Sequence, residues 1–258
     1  MDTETERWTL RVVPDAEAMG AAAADVVAEV VRDKPDAVIS VPTGSTPLTM
    51  FDVLAARAAR GEIDLSRIEL FCLDEYLGVA TDDPNSLTRW LFQALIDRAG
   101  IDPARVHALP STATGPAAAA EYERELETHG GLDLAVLGLG PNGHVAYNEP
   151  GAAVDSRTRV VDLTPESSAQ ASAYWHDTVP IPSQAMTMGV GTLLGARRMV
   201  LIVTGAAKAD MLRRALEEPM SADVPASWLR RAGPRLEVIV DEAAASRLDR
   251  FLLARQAD

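Results

Sequence analysis

The chain has 258 residues, 47% of them hydrophobic, and a formal net charge of −14 at pH 7. That length suffices for a large α/β domain with a well-buried core, and the composition is not that of a disordered protein. Acidic residues spread along the chain argue against nonspecific binding to nucleic acid or an anionic membrane, and any anionic ligand would need a local positive pocket.

The start, MDTETERWTL, is acidic and polar and reads as neither a signal nor a transit peptide. No apolar run approaches the roughly 20 residues needed to span a bilayer. A cytoplasmic protein is expected.

Leu10–Val13 reads as a first strand, and Asp15–Asp33 as an alanine-rich amphipathic helix with Asp15 as its N-cap. Ala37–Val41 is a compact apolar strand, followed by the turn Pro42-Thr-Gly-Ser-Thr-Pro47 and a helix over Leu48–Arg60. Glu69–Leu73 is the next strand, Trp90–Ala99 a helix, Val106–Leu109 a short extended piece and Ala117–Thr128 a helix. Leu132–Leu139, Thr158–Leu163, Met199–Val203 and Leu236–Asp241 read as strands; Lys208–Glu217 and Glu242–Arg255 read as helices. Continuous apolar strands separated by helices predict an α/β fold, an open, mostly parallel twisted sheet with helices on both faces. No linker or internal repeat divides residues 1–258, so one domain is expected.

Cys72 is the only cysteine, which excludes an internal disulfide and a multi-cysteine metal site. It lies in an apolar run and reads as a buried, inert thiol. The four histidines, His107, His129, His144 and His176, show no metal-ligand spacing such as H-x-x-x-H, so no metal is expected.

Ligands of an open parallel sheet bind beyond the carboxyl ends of its strands, and three informative stretches fall there. In Pro42–Pro47, Gly44 allows close backbone approach while Thr43, Ser45 and Thr46 carry hydroxyls before a helix. This is either an anion cradle or a simple helix cap, and without Gly-Lys-Ser/Thr it is not a Walker loop. Leu73-Asp-Glu-Tyr-Leu-Gly78 sets two adjacent carboxylates at a strand end; it is either a solvated turn or a site in which only one of the two faces the cleft. Leu137-Gly-Leu-Gly-Pro-Asn-Gly-His-Val-Ala-Tyr-Asn-Glu-Pro-Gly151 contains the Gly-x-Gly-x-x-Gly spacing of a dinucleotide turn, with Asp162 about 20 residues on, where a ribose-binding acid belongs. However, only six residues separate Gly143 from Pro150-Gly151, too few for the helix such a turn opens. The glycines, Gly140 among them, are better explained as room for a tight loop carrying His144 and Glu149. That pair suits either a general acid–base or a structural histidine held by an acid.

With these stretches in hand, the sequence resembles the glucosamine-6-phosphate deaminase/isomerase family, which is related to 6-phosphogluconolactonases. The resemblance runs over nearly the whole chain, through VPTGSTP (41–47), LDEYLG (73–78), LGLGPNGHVAYNEPG (137–151), SRTR (156–159), MTMGVGTLL (186–194) and VTGAAKA (203–209). It implies a modified Rossmann-like sheet of the deaminase/lactonase type. Related lactonases carry Asp-Glu-Arg after the equivalent strand and lack Asn-Glu-Pro, so Tyr76 and Asn148-Glu149-Pro150 favour the deaminase branch.

The implied reaction converts an amino sugar 6-phosphate and water to fructose 6-phosphate and ammonia, with no cofactor. Asp74 would move the C2 proton; His144 would assist ring opening, supported by Glu149 and oriented by Asn142. Pro42, Thr43, Gly44, Ser45, Thr46, Gly140 and Lys208 would hold the substrate and its phosphate. The implied partner is a small-molecule amino sugar phosphate, with no nucleic acid or membrane, and the protein would be a monomer or homo-oligomer. The alternatives are a lactonase using His144 to activate water, and a sugar-phosphate-binding protein without catalysis.

Three departures matter. Asn142 stands where some members have an Asp and cannot take up a proton. Ala173 stands where members place a phosphate-binding arginine; losing that contact costs roughly 2–5 kcal/mol of affinity unless Arg230 or Arg231 folds in. Val161 replaces one basic residue of the effector pair of regulated members, Arg159 being the other, and several extra residues precede the first strand. Activation by N-acetylglucosamine 6-phosphate is therefore not expected.

Overall fold

The computed structural model describes residues 8–113, 116–172, 175 and 180–249. Strand β1 (Thr9–Val13) leads to helix α1 (Ala16–Asp33), whose cap is the expected one: the Asp15 carboxylate accepts from the Ala18 N–H at 2.8 Å. Strand β2 (Val38–Ser40) and helix α2 (Leu48–Ala59) follow, and the small side chains of α1 let α2 lie closely against it: a Cβ on Gly20 would sit 2.4 Å from Thr49 Oγ1. Next come β3 (Glu69–Phe71), β4 (Asp74–Tyr76) and α3 (Leu87–Leu91), which runs through a π-helical stretch (Phe92–Ile96) into α4 (Asp97–Ala99). Then follow β5 (Val106–His107), α5 (Pro116–Thr128), β6 (Leu134–Gly138), β7 (Arg159–Asp162), α6 (Pro165–Ser172), β8 (Gln184–Thr187) and α7 (Val190–Leu194). The last elements are β9 (Arg198–Val203), α8 (Ala209–Glu217), a 3-10 stretch over Pro225–Arg235, β10 (Leu236–Asp241) and α9 (Glu242–Ala245).

Seven strands form one parallel sheet in the order β1-β10-β9-β6-β2-β3-β5. Leu134 pairs with Arg198 and Gly138 with Ile202, setting β6 beside β9. Both central strands are apolar almost throughout because helices cover both faces, and each buried Val, Leu or Ile contributes roughly 1.5–3 kcal/mol. The strand order reverses between β2 and β6. A crevice opens at such a switch point, beyond the carboxyl ends of the strands.

A second, antiparallel sheet, β4-β8-β7, stands beyond those ends. The Met188 N–H donates to the Leu73 carbonyl at 2.8 Å, just where the chain leaves the main sheet for β4. Sequence periodicity predicts β7, within Thr158–Leu163, but not β4 or β8: three or four residues, some of them acidic, carry too little alternation to read. The helix expected over Glu242–Arg255 ends at Ala245 and gives way to turns; residues from 250 onward lie outside the described part. Among the described residues, no helix is long and apolar enough to cross a membrane.

Candidate active site

The turn after β2, the start of β4, the loop after β6 and the turn after β9 meet in one pocket at the switch point. Pro42, Thr43, Gly44, Ser45, Thr46, Asp74, Gly140, His144 and Lys208 all line it. Asn142 and Glu149 stand behind His144 instead.

The cap reading of Pro42–Pro47 fails. Pro47 is the N-cap of α2, and no side chain caps the helix. Gly44 has φ +96°, a conformation that strains any residue with a side chain. Among the described residues, the Thr43, Ser45 and Thr46 hydroxyls have no partner that would occupy them. A hydroxyl-lined turn at an open helix start has the chemistry to hold an anion.

Lys208 closes a 3-10 turn after β9 and donates from Nζ to the Leu139 carbonyl at 2.7 Å. Its burial lowers the ammonium pKa from the ordinary value, a cost that an arriving anion would offset. Among the described residues it is the one Lys or Arg that lines the pocket. Arg230 and Arg231 do not fold in. The Arg230 guanidinium is spent on the Leu216 and Glu218 carbonyls at 2.6 Å each, and Arg231 lies over the Trp228 ring at 5.6 Å. Ala173 falls outside the described residues, as does the chain's N-terminal amine.

Asp74 and Glu75 divide as strand alternation requires. Asp74 faces the pocket, 8% exposed, with Oδ1 buried and unpartnered among the described residues. Burial, with the neighbouring Glu75 charge, pushes its carboxyl up to about 7. Tyr76 also lines the pocket; its hydroxyl accepts from Tyr147 at 2.9 Å, and the Trp175 ring meets it edge-on at 5.1 Å. The two tyrosines and Trp175 form an aromatic wall that sequence reasoning left unassigned.

The loop after β6 answers the question its glycines pose. No helix follows Gly143; the chain makes tight turns closed by a Val145–Asn148 bridge. A Cβ on Gly140 would sit 2.2 Å from Cδ2 and Nε2 of His144, so the glycine makes room for the imidazole. Asp162 is exposed on β7 and accepts from Gln184 Nε2, away from the pocket. The dinucleotide reading has no support.

His144 Nδ1 lies 3.5 Å from Glu149 Oε2 and 3.2 Å from Ser167 Oγ, which leaves Nε2 without a partner among the described residues. Asn142 reaches His144 through the backbone and not the imidazole. Its amide donates to Glu149 Oε2 at 2.8 Å, and its Oδ1 accepts from the His144 backbone N–H. Burial pushes the Glu149 carboxyl up, but hydrogen bonds led by that from His144 outweigh it and hold it at about 2. Asn148, fully buried, bonds the Val145 and Met188 carbonyls and accepts from Arg159, clamping the loop beside Glu149. Cys72 is buried, its thiol pushed up to about 12, as an inert packing residue should be.

A family profile described as glucosamine-6-phosphate isomerases/6-phosphogluconolactonase matches residues 14–238. The chain belongs to that family. It is 39% identical to a glucosamine-6-phosphate deaminase of Rhodopirellula baltica over 93% of this chain and 96% of that one. A glucosamine-6-phosphate deaminase of Cutibacterium acnes is 41% identical, over 92% and 91% of the two chains. Among solved structures, a monomeric glucosamine-6-phosphate deaminase superposes with TM-score 0.88 at 32% identity, over 93% of this chain and 99% of that one. A 6-phosphogluconolactonase from Trypanosoma brucei superposes with TM-score 0.74 at 20% identity over 94% and 99%, a likeness of fold alone.

Proposed function

We propose that the chain isomerises and deaminates an amino sugar 6-phosphate, converting glucosamine 6-phosphate and water to fructose 6-phosphate and ammonia. The observation that carries this reading is Asp74: a buried carboxylate on the pocket wall, with one oxygen unpartnered among the described residues and a pKa raised to about 7. A base near neutrality suits proton transfer at a carbon next to a carbonyl equivalent. The deaminase names of relatives spanning nearly the whole chain support the same reading.

The phosphate sits on the Thr43–Thr46 turn and the Lys208 ammonium. His144, with Nε2 facing the substrate and backed by Glu149, takes the O1 hydroxyl proton and passes it to the ring oxygen as C1=O forms and the C1–O5 bond breaks. Asp74 takes the proton from C2 and returns it to C1 while a proton of the amine passes to O1, leaving a C1 hydroxyl and a C2=N ketimine. Water adds at C2, the C–N bond breaks and ammonia leaves. The residues supply all the proton transfers, and no electron sink is required. With Lys208 as the phosphate's cation, binding is weaker than in relatives that add an arginine. With Val161 in place of a basic residue, N-acetylglucosamine 6-phosphate does not activate the enzyme.

The test is a turnover screen of glucosamine, galactosamine and mannosamine 6-phosphates alongside 6-phosphogluconolactone. Ammonia release from glucosamine 6-phosphate is expected. Lactone hydrolysis without ammonia release, or sugar-phosphate binding without turnover, would overturn the proposal.

A further inference from the structure

Away from the pocket, three side chains converge at the β5 edge of the main sheet. Glu69 opens β3, His107 ends β5 and His129 follows the last residue of α5. One ligand atom from each lies within 4.8 Å of the other two, and none of the three residues lines the pocket.

Glu125 holds both imidazoles from behind. His107 Nδ1 lies 2.7 Å from Glu125 Oε1, and His129 Nδ1 lies 2.9 Å from the Glu125 carbonyl oxygen. The carbonyl oxygen fixes the His129 proton on Nδ1 and leaves an Nε2 lone pair, while the Glu125 carboxylate stands behind His107 Nδ1 in the carboxylate–histidine arrangement found behind metal ligands. His107 Nε2 faces Glu69 Oε2 at 2.9 Å, so the ring lies between two carboxylates and, with the proton on the Glu125 side, presents a lone pair to Glu69. That contact is favourable only with a cation or a proton between the two. The other Glu69 oxygen is held by Arg105. The Phe71 ring, stacked on His107 at 4.1 Å and edge-on to His129 at 5.4 Å, supplies an apolar wall.

We propose that Glu69, His107 and His129 bind one divalent transition-metal ion of the Zn2+ class, with Glu125 orienting both imidazoles. Two imidazoles and a carboxylate suit Zn2+ and its first-row neighbours rather than Mg2+ or Ca2+. Metal–ligand bonds of about 2.0–2.2 Å put tetrahedral ligand atoms roughly 3.3 Å apart, a closure that side-chain rotation of His129 at the helix end supplies. The ion would tie β3, the edge strand β5 and α5 together, and it takes no part in the proposed reaction. The expectation of no metal rested on histidine spacing along the chain; ligands from three separate elements leave no such trace.

The test uses untagged, chelator-treated protein titrated with Zn2+ by calorimetry, with thermal unfolding and Co2+ absorption in parallel. The expected result is one equivalent of Zn2+, a Tm raised by Zn2+ but not by Mg2+, and affinity weakened at least about ten-fold in both Glu69→Gln and His129→Gln. If Glu69→Gln fails to fold because Arg105 loses its partner, His129→Gln alone decides. No Zn2+ binding would leave only a proton bridging His107 and Glu69, and would overturn the proposal. Unchanged affinity in His129→Gln, or binding lost in His144→Asn instead, would place the ion elsewhere and overturn it equally.

Discussion

Glu75 accepts four hydrogen bonds while Asp74, its neighbour in β4, holds a buried oxygen with none among the described residues. The Glu75 carboxylate takes the N–H groups of Tyr76, Leu87 and Thr88 and the Ser86 hydroxyl, at 2.6–3.0 Å. It thereby anchors the start of α3 and fixes β4, and the same backbone turns Asp74 into the pocket. One acid builds the site and the other is left poised in it.

A poised buried carboxylate costs stability, and the sign follows from its pKa. Asp74 titrates at about 7 in the fold against an ordinary 3.8, so between those values the folded chain keeps a proton that the unfolded chain releases. Stability therefore falls as pH rises from about 4 to about 7. Asp74→Asn should be more stable than the wild type at pH 8 by roughly 1–4 kcal/mol, with the gain shrinking toward pH 4. Urea unfolding at the two pH values measures it, and equal stability at pH 8 would show that Asp74 is not strained.

The same group sets the acid limb of the rate. Proton abstraction needs the carboxylate, so kcat/KM should fall about ten-fold per pH unit below about 7. Glu149, held at about 2, stays ionised throughout and adds no limb in that range. A flat profile from pH 5 to 8 would remove Asp74 as the titrating base.

Gly140→Ala tests the loop after β6. The added methyl would sit 2.2 Å from the His144 ring, so the imidazole must move. A displacement near 1 Å costs on the order of 100-fold in rate, and the loss should fall on kcat while substrate binding changes little. Wild-type kcat in Gly140→Ala would show that the placement of His144 is unimportant.

Lys208→Ala should raise KM by roughly 10- to 100-fold with kcat nearly preserved, as expected for an anchor that grips the phosphate equally in ground and transition states. An unchanged KM would place the phosphate elsewhere in the pocket.

The main sheet was legible because its strands are buried on both faces and read as unbroken apolar runs, such as Leu134–Leu137 and Met199–Val203. The loops that form the pocket were legible because the carboxyl ends of parallel strands are where a ligand must go. That Asn142 also reaches across to Glu149 was not legible, because the two are seven residues apart and meet only through the turns of the loop. Ser167 escaped notice because its bond to His144 spans 23 residues and lies on a helix with no motif of its own. Tyr76 could have been found: two residues beyond Asp74 on a strand, it had to share that face.

The most direct test of the central claim is proton exchange at C2. Incubated with glucosamine 6-phosphate in deuterated water, the wild type should exchange solvent deuterium into the C2 position and release ammonia, and Asp74→Asn should do neither. Exchange in Asp74→Asn at the wild-type rate, or none in the wild type, would contradict the assignment of Asp74 as the base.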